Sequence, residues 1–379
     1  MKYFASKGIL ELAGIIFCKI PVRKSKEYDV VLVRTDRIGD YVIWHDTIAA
    51  YKERFGGKKV LLICNDTVSS LAKEEDFFTD LLTFNIGKIK KSPKYAFDFI
   101  KSLRTIKAGT LINSVWERIW YADVFSLAIS ANNKIGIASK NPIGHFISYY
   151  NKQYSHLYDC NECVSEISAD EMFAQKAIWT DYKYGNYPIT VSTKTSLTSS
   201  PYAVVSFTTS TPTKNWPIER FIKVIDKIPD NYKIVLTGAG TYDTMCAHKI
   251  CDQVVNKDRI IDCVGKTTVP EMVSIIASSA FVLSNDSAAV HIAASTGIPS
   301  IAILSGTHFN RFLPYPKDNP IKQSPRVVSF YMDCYYCEYN CIYPDKEPFE
   351  CVKKISVEMV LKELKQLLED ITINKSSVQ

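Results

Sequence analysis

The sequence predicts two α/β lobes in series, each a parallel sheet wrapped by helices in the Rossmann-like manner. Three observations predict it. The chain has 379 residues, more than one ordinary hydrophobic core accommodates. Short β-branched runs alternate with helix-length stretches, the rhythm of β-α-β units. That rhythm stops between about 141 and 200 and then restarts, so the chain divides instead of extending one sheet.

Taken in order, residues 1–28 form an apolar and basic segment. Residues 3–20 are largely apolar but are interrupted by Lys7 and Glu11, too broken for a membrane span. They lack a clear small-residue cleavage site and basic residues follow closely, so no signal peptide is expected. Two readings stay open: a helix packed on the protein body, or an interfacial helix flanked by Arg23, Lys24 and Lys26. The first lobe, 29–185, opens with the strand VVLVRT (30–35), a Gly-Asp turn and a helix from Tyr41 to Phe55. KVLLIC (59–64) and LLTF (81–84) are the next strands. A lysine-rich helix (94–107), the strand GTLINS (109–114), a helix through Leu127 and the strand KIGI (134–137) follow. Residues 141–158 are aromatic and aperiodic, and a helix covers 165–180. TVSTKTSLTSSP, rich in serine and threonine, reads as the link between lobes. The second lobe, 200–355, carries strands YAVVSF (202–207), KIVLTG (233–238), RIIDC (259–263), AFVLSN (280–285) and PSIAIL (299–304). A helix from Pro217 to Ile228 starts with proline in its first turn. The last helix, within 356–371, is amphipathic, and the tail beyond it is frayed.

Composition narrows the function. Hydrophobic residues make up 46% and charged residues 23% of the chain, a globular balance. A net charge of +6 without an arginine-rich arm suits an anionic small molecule or a membrane surface, and no nucleic acid is expected. Eleven cysteines scattered along so long a chain indicate a reducing compartment, hence the cytoplasm.

Open parallel sheets bind ligands at the carboxyl ends of their strands. The first strand runs into Asp36-Arg37-Ile38-Gly39-Asp40. Asp40 there is either a helix cap or a general base taking a proton from an attacking hydroxyl. After the first strand of the second lobe, Thr208 to Lys214 offers hydroxyls, backbone amides and a lysine to a phosphate, Thr209 among them; the alternative is a polar loop. Gly238-Ala239-Gly240 begins like a dinucleotide fingerprint but lacks its third glycine, because position 243 is Asp. In Ser284-Asn285-Asp286-Ser287-Ala288-Ala289-Val290-His291, a strand ends and a small-residue helix begins, its amides turned to an anion. Asp286 there can be a cap only, and His291 structural. Cys334-x2-Cys337-x3-Cys341-x9-Cys351 could ligate zinc, although its gaps match no standard finger; packed, reduced thiols and no metal are the expectation. Arg118 could meet an acidic acceptor or be an exposed helix arginine.

Four stretches together resemble glycosyltransferase family 9, which includes the bacterial ADP-heptose:lipopolysaccharide heptosyltransferases. They are VVLVRTDRIGDYVIWHDTIAAYKERF, TKNWPIERF, LSNDSAAVHIAASTGIPSIAILSGTH, and the cysteine-rich segment before ISVEMVLKEL. The resemblance implies the GT-B fold, two Rossmann-like lobes with parallel sheets facing a cleft, the last helix crossing back to the first lobe. It implies an inverting transfer of a heptose-like sugar from a nucleotide-diphosphate donor to lipopolysaccharide or another cell-surface glycan. Asp40 would be the base, with Arg37 and Arg118 on the acceptor side. Lys214, Thr209, Gly238, Asp286, Ser287 and His291 would hold the donor. No cofactor is required, and no Asp-x-Asp metal clamp is present. The cytoplasmic face of the inner membrane is the expected place, with a peripheral contact possible. The family's small, proline-bearing stretch after Gly-Asp is Trp44-His45-Asp46 here, and its ribose-side acid is replaced by Gly240, with Asp243 the substitute. A nucleotide-sugar epimerase of the same fold and a non-catalytic nucleotide-sugar-binding protein of a glycan assembly complex are the competing readings.

Overall fold

The computed structural model describes residues 2–19, 26–139, 143–195, 197–318, 321, 323–344 and 347–376. They form two units, Met1–Tyr187 and Pro188–Gln379. The first contains, in order, α1 (Lys2–Cys18), β1 (Lys26–Arg34), α2 (Ile38–His45), α3 (Ile48–Phe55), β2 (Val60–Asn65), α4 (Ser69–Ala72), β3 (Asp80–Phe84), α5 (Ile86–Lys91), α6 (Pro93–Leu103), β4 (Ile106–Asn113), α7 (Trp120–Ala128), β5 (Ser130–Ala138), α8 (Ile147–Asn151), β6 (His156–Asp159) and α9 (Glu166–Ala177). Its strands form one parallel sheet in the order β3-β2-β1-β4-β5-β6. From Val30 to Val33, β1 is buried on both faces, as a strand between two helix layers must be.

Several elements differ from their sequence-based outlines, each for a local reason. The helix expected from Tyr41 to Phe55 is two, broken at Asp46-Thr47. The Asp46 carboxylate accepts from the Tyr182 hydroxyl (2.6 Å) and from the amides of Gly185 (2.9 Å) and Tyr187 (2.8 Å). Thr47 Oγ1 donates to the Trp44 carbonyl at 2.7 Å, so side chains at the break satisfy groups a continuous helix would use. Within 141–158 lies a short helix and the edge strand β6, whose pattern the aromatic sequence hides. The lysine-rich helix ends at Leu103, and β4 already begins at Ile106, where Lys26 pairs with it.

The N-terminal segment forms a helix that packs on the protein body: α1 lies against α7 and α6. A Cβ on Gly14 would stand 3.2 Å from Val124 Cγ1, so glycine permits the close approach. Glu11 is fully buried, and its carboxylate accepts from the His145 amide (3.0 Å) and the Phe146 amide (3.3 Å). The flanking Arg23 and Lys24 fall outside the described residues. Among the described residues no helix is long and apolar enough to cross a membrane.

The second unit continues with β7 (Tyr202–Ser206), α10 (Ile218–Ile225), β8 (Lys233–Leu236), α11 (Thr241–Gln253), β9 (Ile260–Asp262), α12 (Val269–Ala277), β10 (Phe281–Asn285), α13 (Ala288–Thr296), β11 (Ser300–Ile303), β12 (Arg326–Val328), α14 (Glu350–Lys353) and α15 (Val357–Ser376). The sheet order is β12-β11-β10-β7-β8-β9, all parallel. Read from β9, it is the winding of the first sheet again. The three-residue β12 is too short to be legible as a strand in sequence. Pro217 is the cap before α10 and stands outside the helix. The serine/threonine-rich segment is tied to this unit by Thr195 N to Ser274 Oγ, and the residue before it by Ile189 N to Ser295 Oγ, both 2.9 Å. The last helix, expected to fray beyond residue 371, continues to Ser376 and packs on α10, β11 and β12, burying Leu364 and Leu367.

Candidate active site

In both sheets the winding reverses direction between the first and fourth strands, β1/β4 and β7/β10, which opens a crevice at their carboxyl ends. The sequence candidates gather at these two places.

In the first unit, β1 ends at Arg34, and the turn Thr35 to Arg37 leads into α2. Arg37 is the helix cap (φ −91°, ψ 178°). Asp40, in the first turn of α2, is therefore not the cap residue; it accepts from the Arg37 amide at 3.4 Å and is half-buried. Arg37 itself is exposed. Arg34, unremarked in the sequence, is buried beneath the turn. Its Nη1 donates to the Ser114 carbonyl after β4 at 2.6 Å, and its guanidinium pairs with Asp36 and with Asp170 of α9.

In the second unit, Lys214 ends a 3₁₀ turn, Pro212–Lys214, after β7. Asn285, the last residue of β10, positions that turn: its Nδ2 donates to the Phe207 carbonyl (2.6 Å) and its Oδ1 accepts from the Trp216 amide (3.1 Å). Lys214 Nζ consequently meets Asp286 Oδ2 at 2.6 Å, both side chains largely buried. Burial would raise the Asp286 carboxyl, but the Lys214 ammonium, its hydrogen bond and the neighbouring His291 and His308 together hold the group below its ordinary value. Ser287, not Asp286, caps α13, accepting from the Ala289 amide at 3.3 Å. One turn along, buried His291 hydrogen-bonds through Nδ1 to the Tyr315 hydroxyl at 2.7 Å. Burial pushes it down to about 4, so it is a neutral imidazole at pH 7. His308 is likewise pushed down to about 4, first by burial and then by the charges of Arg311 and Lys214, which sets both residues close to the pair.

Thr209 closes this edge locally: its amide donates to Asn215 Oδ1 (2.7 Å) and its hydroxyl to the Thr211 carbonyl (2.8 Å). After β8, Asp243 Oδ2 accepts from the Ala239 amide at 2.7 Å, and a Cβ on Gly238 would fall 2.8 Å from that oxygen. Glycine is thus what lets the carboxylate fold under the turn, while Gly240 caps α11 at φ 104°. Among the described residues the buried hydroxyls of Thr213 and Thr237 have no hydrogen-bond partner, so a ligand or water at this edge would find polar groups to satisfy. A held cation, hydroxyls and the positive end of α13 thus lie together, a set whose chemistry suits an anion.

Arg118 corrects the sequence picture of a surface helix arginine. It precedes α7 and is 1% exposed, its Nε 3.5 Å from Asp123 Oδ1 and its guanidinium over the Tyr154 ring. The four loop cysteines are free, Cys351 buried and Cys334, Cys337 and Cys341 half-buried. Cys351 Sγ accepts from the Gly306 amide at 3.5 Å, which ties the segment to the turn before His308. Among the described residues no three metal-ligating side chains are placed to hold an ion. Arg34, Asp170, His308 and Arg311 were missed in sequence. Only Arg34 had a local signal, a charge closing an otherwise apolar strand.

The model of glycosyltransferase family 9 (heptosyltransferase) matches residues 98–337. The chain is 26% identical over 156 residues to lipooligosaccharide heptosyltransferase 2 of Campylobacter jejuni, covering 41% of this chain and 47% of that protein. It is 31% identical over 119 residues to lipopolysaccharide heptosyltransferase 3 of Escherichia coli, covering 31% and 34%. The matches thus span about half the length of these curated relatives or less. Among solved structures, a family 9 glycosyl transferase from Veillonella parvula is similar with a TM-score of 0.68 at 17% identity, over 92% of this chain and 98% of that one. Escherichia coli heptosyltransferase WaaC with ADP-2-deoxy-2-fluoro heptose gives 0.68 at 16%, over 89% and 99%. At such identities the likeness is one of fold, and that fold is GT-B.

Proposed function

The chain belongs to glycosyltransferase family 9, and from that premise we propose that it transfers a heptose-like sugar, with inversion, from a nucleotide-diphosphate donor to lipopolysaccharide or a related cell-surface glycan. The observation that carries the reading is the buried Lys214–Asp286 pair, 2.6 Å apart at the carboxyl end of β10, with the half-buried carboxylate of Asp40 at the equivalent end of β1. In an inverting transfer the acceptor oxygen attacks the anomeric carbon as its proton passes to a base, here Asp40. The bond from that carbon to the phosphate oxygen breaks, and the electron pair leaves with the nucleoside diphosphate. The Lys214 cation offsets the charge gathering there, and Asp286 keeps that cation aimed. Nothing in this scheme requires a cofactor. The relative crystallised with an ADP-heptose analogue supports an ADP-sugar donor.

The test is calorimetry with ADP and ADP-heptose, paired with initial rates on a lipid A–core acceptor. Donor binding with acceptor-dependent release of ADP is expected. Turnover of donor without acceptor would favour the epimerase reading, and binding without any turnover a carrier of nucleotide sugar. We further propose a peripheral membrane contact through α1, which packs by one face and exposes Leu12 (44%) and Ile16 (57%) on another. Leu12→Glu/Ile16→Glu should abolish sedimentation with phosphatidylglycerol vesicles; unchanged sedimentation would place the contact elsewhere.

A further inference from the structure

Arg34 sits 3% exposed at the end of β1 with one positive charge and four carboxylates around it. Asp36 pairs with its Nε edge, Asp170 Oδ1 lies 3.4 Å from Nη1, and Glu166 and Asp40 act on it electrostatically. Nη1 also holds the Ser114 carbonyl at 2.6 Å, and the guanidinium lies 5.6 Å from the centre of the Trp44 ring. One side chain therefore joins β1, the Asp36 turn, the end of β4, α2 and α9. Asp170 is 1% exposed, and its Oδ2 has no hydrogen-bond partner among the described residues.

Two ionised aspartates on one turn, a third beneath them and one guanidinium do not balance in a buried setting. The carboxylate that loses most water takes up a proton. That group is Asp170: burial first, then Glu166, Asp36 and Asp40, drive its carboxyl well above the ordinary range against the pull of Arg34. The further its proton affinity rises, the less of the guanidinium's charge it consumes.

We propose that Arg34 and Asp170 are positioning residues for Asp40: Asp170 seats the guanidinium, and Arg34 both pins the Asp36–Gly39 turn and directs its charge to the carboxylates of Asp36 and Asp40. This rests on the reading of Asp40 as the base. Arg37 on the turn and Tyr121 on α7 also face Asp40, the Tyr121 hydroxyl sensing both Asp36 and Asp40, while Glu166 on α9 acts on Arg34 and Asp170.

The experiment is a ¹³C NMR titration of the full chain labelled at aspartate Cγ, with the Asp40 resonance assigned by its loss in Asp40→Asn. Arg34→Gln keeps a donor for the Ser114 carbonyl and removes the charge. It should raise the Asp40 midpoint by about one pH unit and carry the acidic limb of kcat/KM with it. Arg34→Lys, which keeps the charge, should restore the midpoint. Asp170→Asn should leave it in place, since the amide keeps the contact to the guanidinium and stands in for a carboxyl whose proton affinity burial has raised. An unmoved midpoint in folded Arg34→Gln overturns the proposal. So does a lowered midpoint in Asp170→Asn, which would mean that Asp170 was ionised; that variant decides the matter if Arg34→Gln does not fold. Should Asp40→Asn itself retain near-normal turnover, the base assignment fails instead, whatever the titration reads.

Discussion

The two units share one winding and differ in the chemistry at its reversal. Counted from its own first strand, each sheet runs 3-2-1-4-5-6, so each opens a crevice at the same topological point. In the first unit that point is rich in acid: Asp36, Asp40 and Asp170 around a single buried arginine. In the second it is a lysine held by one aspartate, with two histidines kept neutral nearby. The fold supplies a place for a ligand, and the few side chains at strand ends set the chemistry of that place: acidic in one unit, a cation with neutral imidazoles in the other.

The sharpest way to separate the two is by what each loses. Asp40→Asn keeps the size and the bond to the Arg37 amide but cannot take a proton. Turnover should fall at least ~100-fold while calorimetric ADP affinity stays. Equal loss of both would erase the distinction between the units. Lys214→Ala should do the converse, weakening ADP binding by roughly 10- to 100-fold, the worth of a charge-assisted contact. It also strands the Asp286 carboxylate in a buried site, at about 3 kcal/mol of stability. Lys214→Met/Asp286→Leu should recover much of that stability in denaturant melts without recovering ADP.

A smaller effect tests the buried charges of the first unit. Glu11→Ala leaves the amides of His145 and Phe146 without their acceptor and should cost about 2–3 kcal/mol, with protection lost in α1 and α8 by hydrogen exchange. Glu11→Gln, which keeps one acceptor oxygen, should cost less.

The smallest effect has opposite signs in the two units. In the second, His291 titrates near 4, below the ordinary 6.5 of histidine. Its contribution is present above pH 6.5 and is lost as pH falls toward 4. In the first, burial pushes Asp123 up to about 6, only partly offset by Arg118, and Asp170 well above 3.8. Such groups bind protons in the folded state first, so acidification from pH 7 to 5 strengthens their unit. Hydrogen exchange by mass spectrometry at the two pH values should show β10 and α13 opening more readily at pH 5 and β4 and α7 less readily. Parallel changes in both units would contradict these assignments, and His291→Asn should flatten the slope of the second.

The strand runs, their alternation with helices, and the break near the middle of the chain were legible in the sequence because hydrophobic periodicity is local. Strand-end motifs were legible for the same reason: Asp40 follows a Gly turn, and Asp286-Ser287 precedes a small-residue helix. What the sequence by itself determined is therefore the double α/β plan and the two strand-end loops on which the proposed chemistry rests. Only the tertiary structure decided which residues meet. Arg34 and Asp170 are 136 residues apart and Lys214 and Asp286 are 72 apart; no spacing rule joins them, because a parallel sheet brings strands together through long crossovers. Arg118 reads as a surface residue until packing around Asp123 and Tyr154 buries it. Glu11, a break in an apolar run by sequence, becomes the acceptor for a loop more than 130 residues away. Charge placement in a core is settled by desolvation and by partners, and both are properties of the assembled fold.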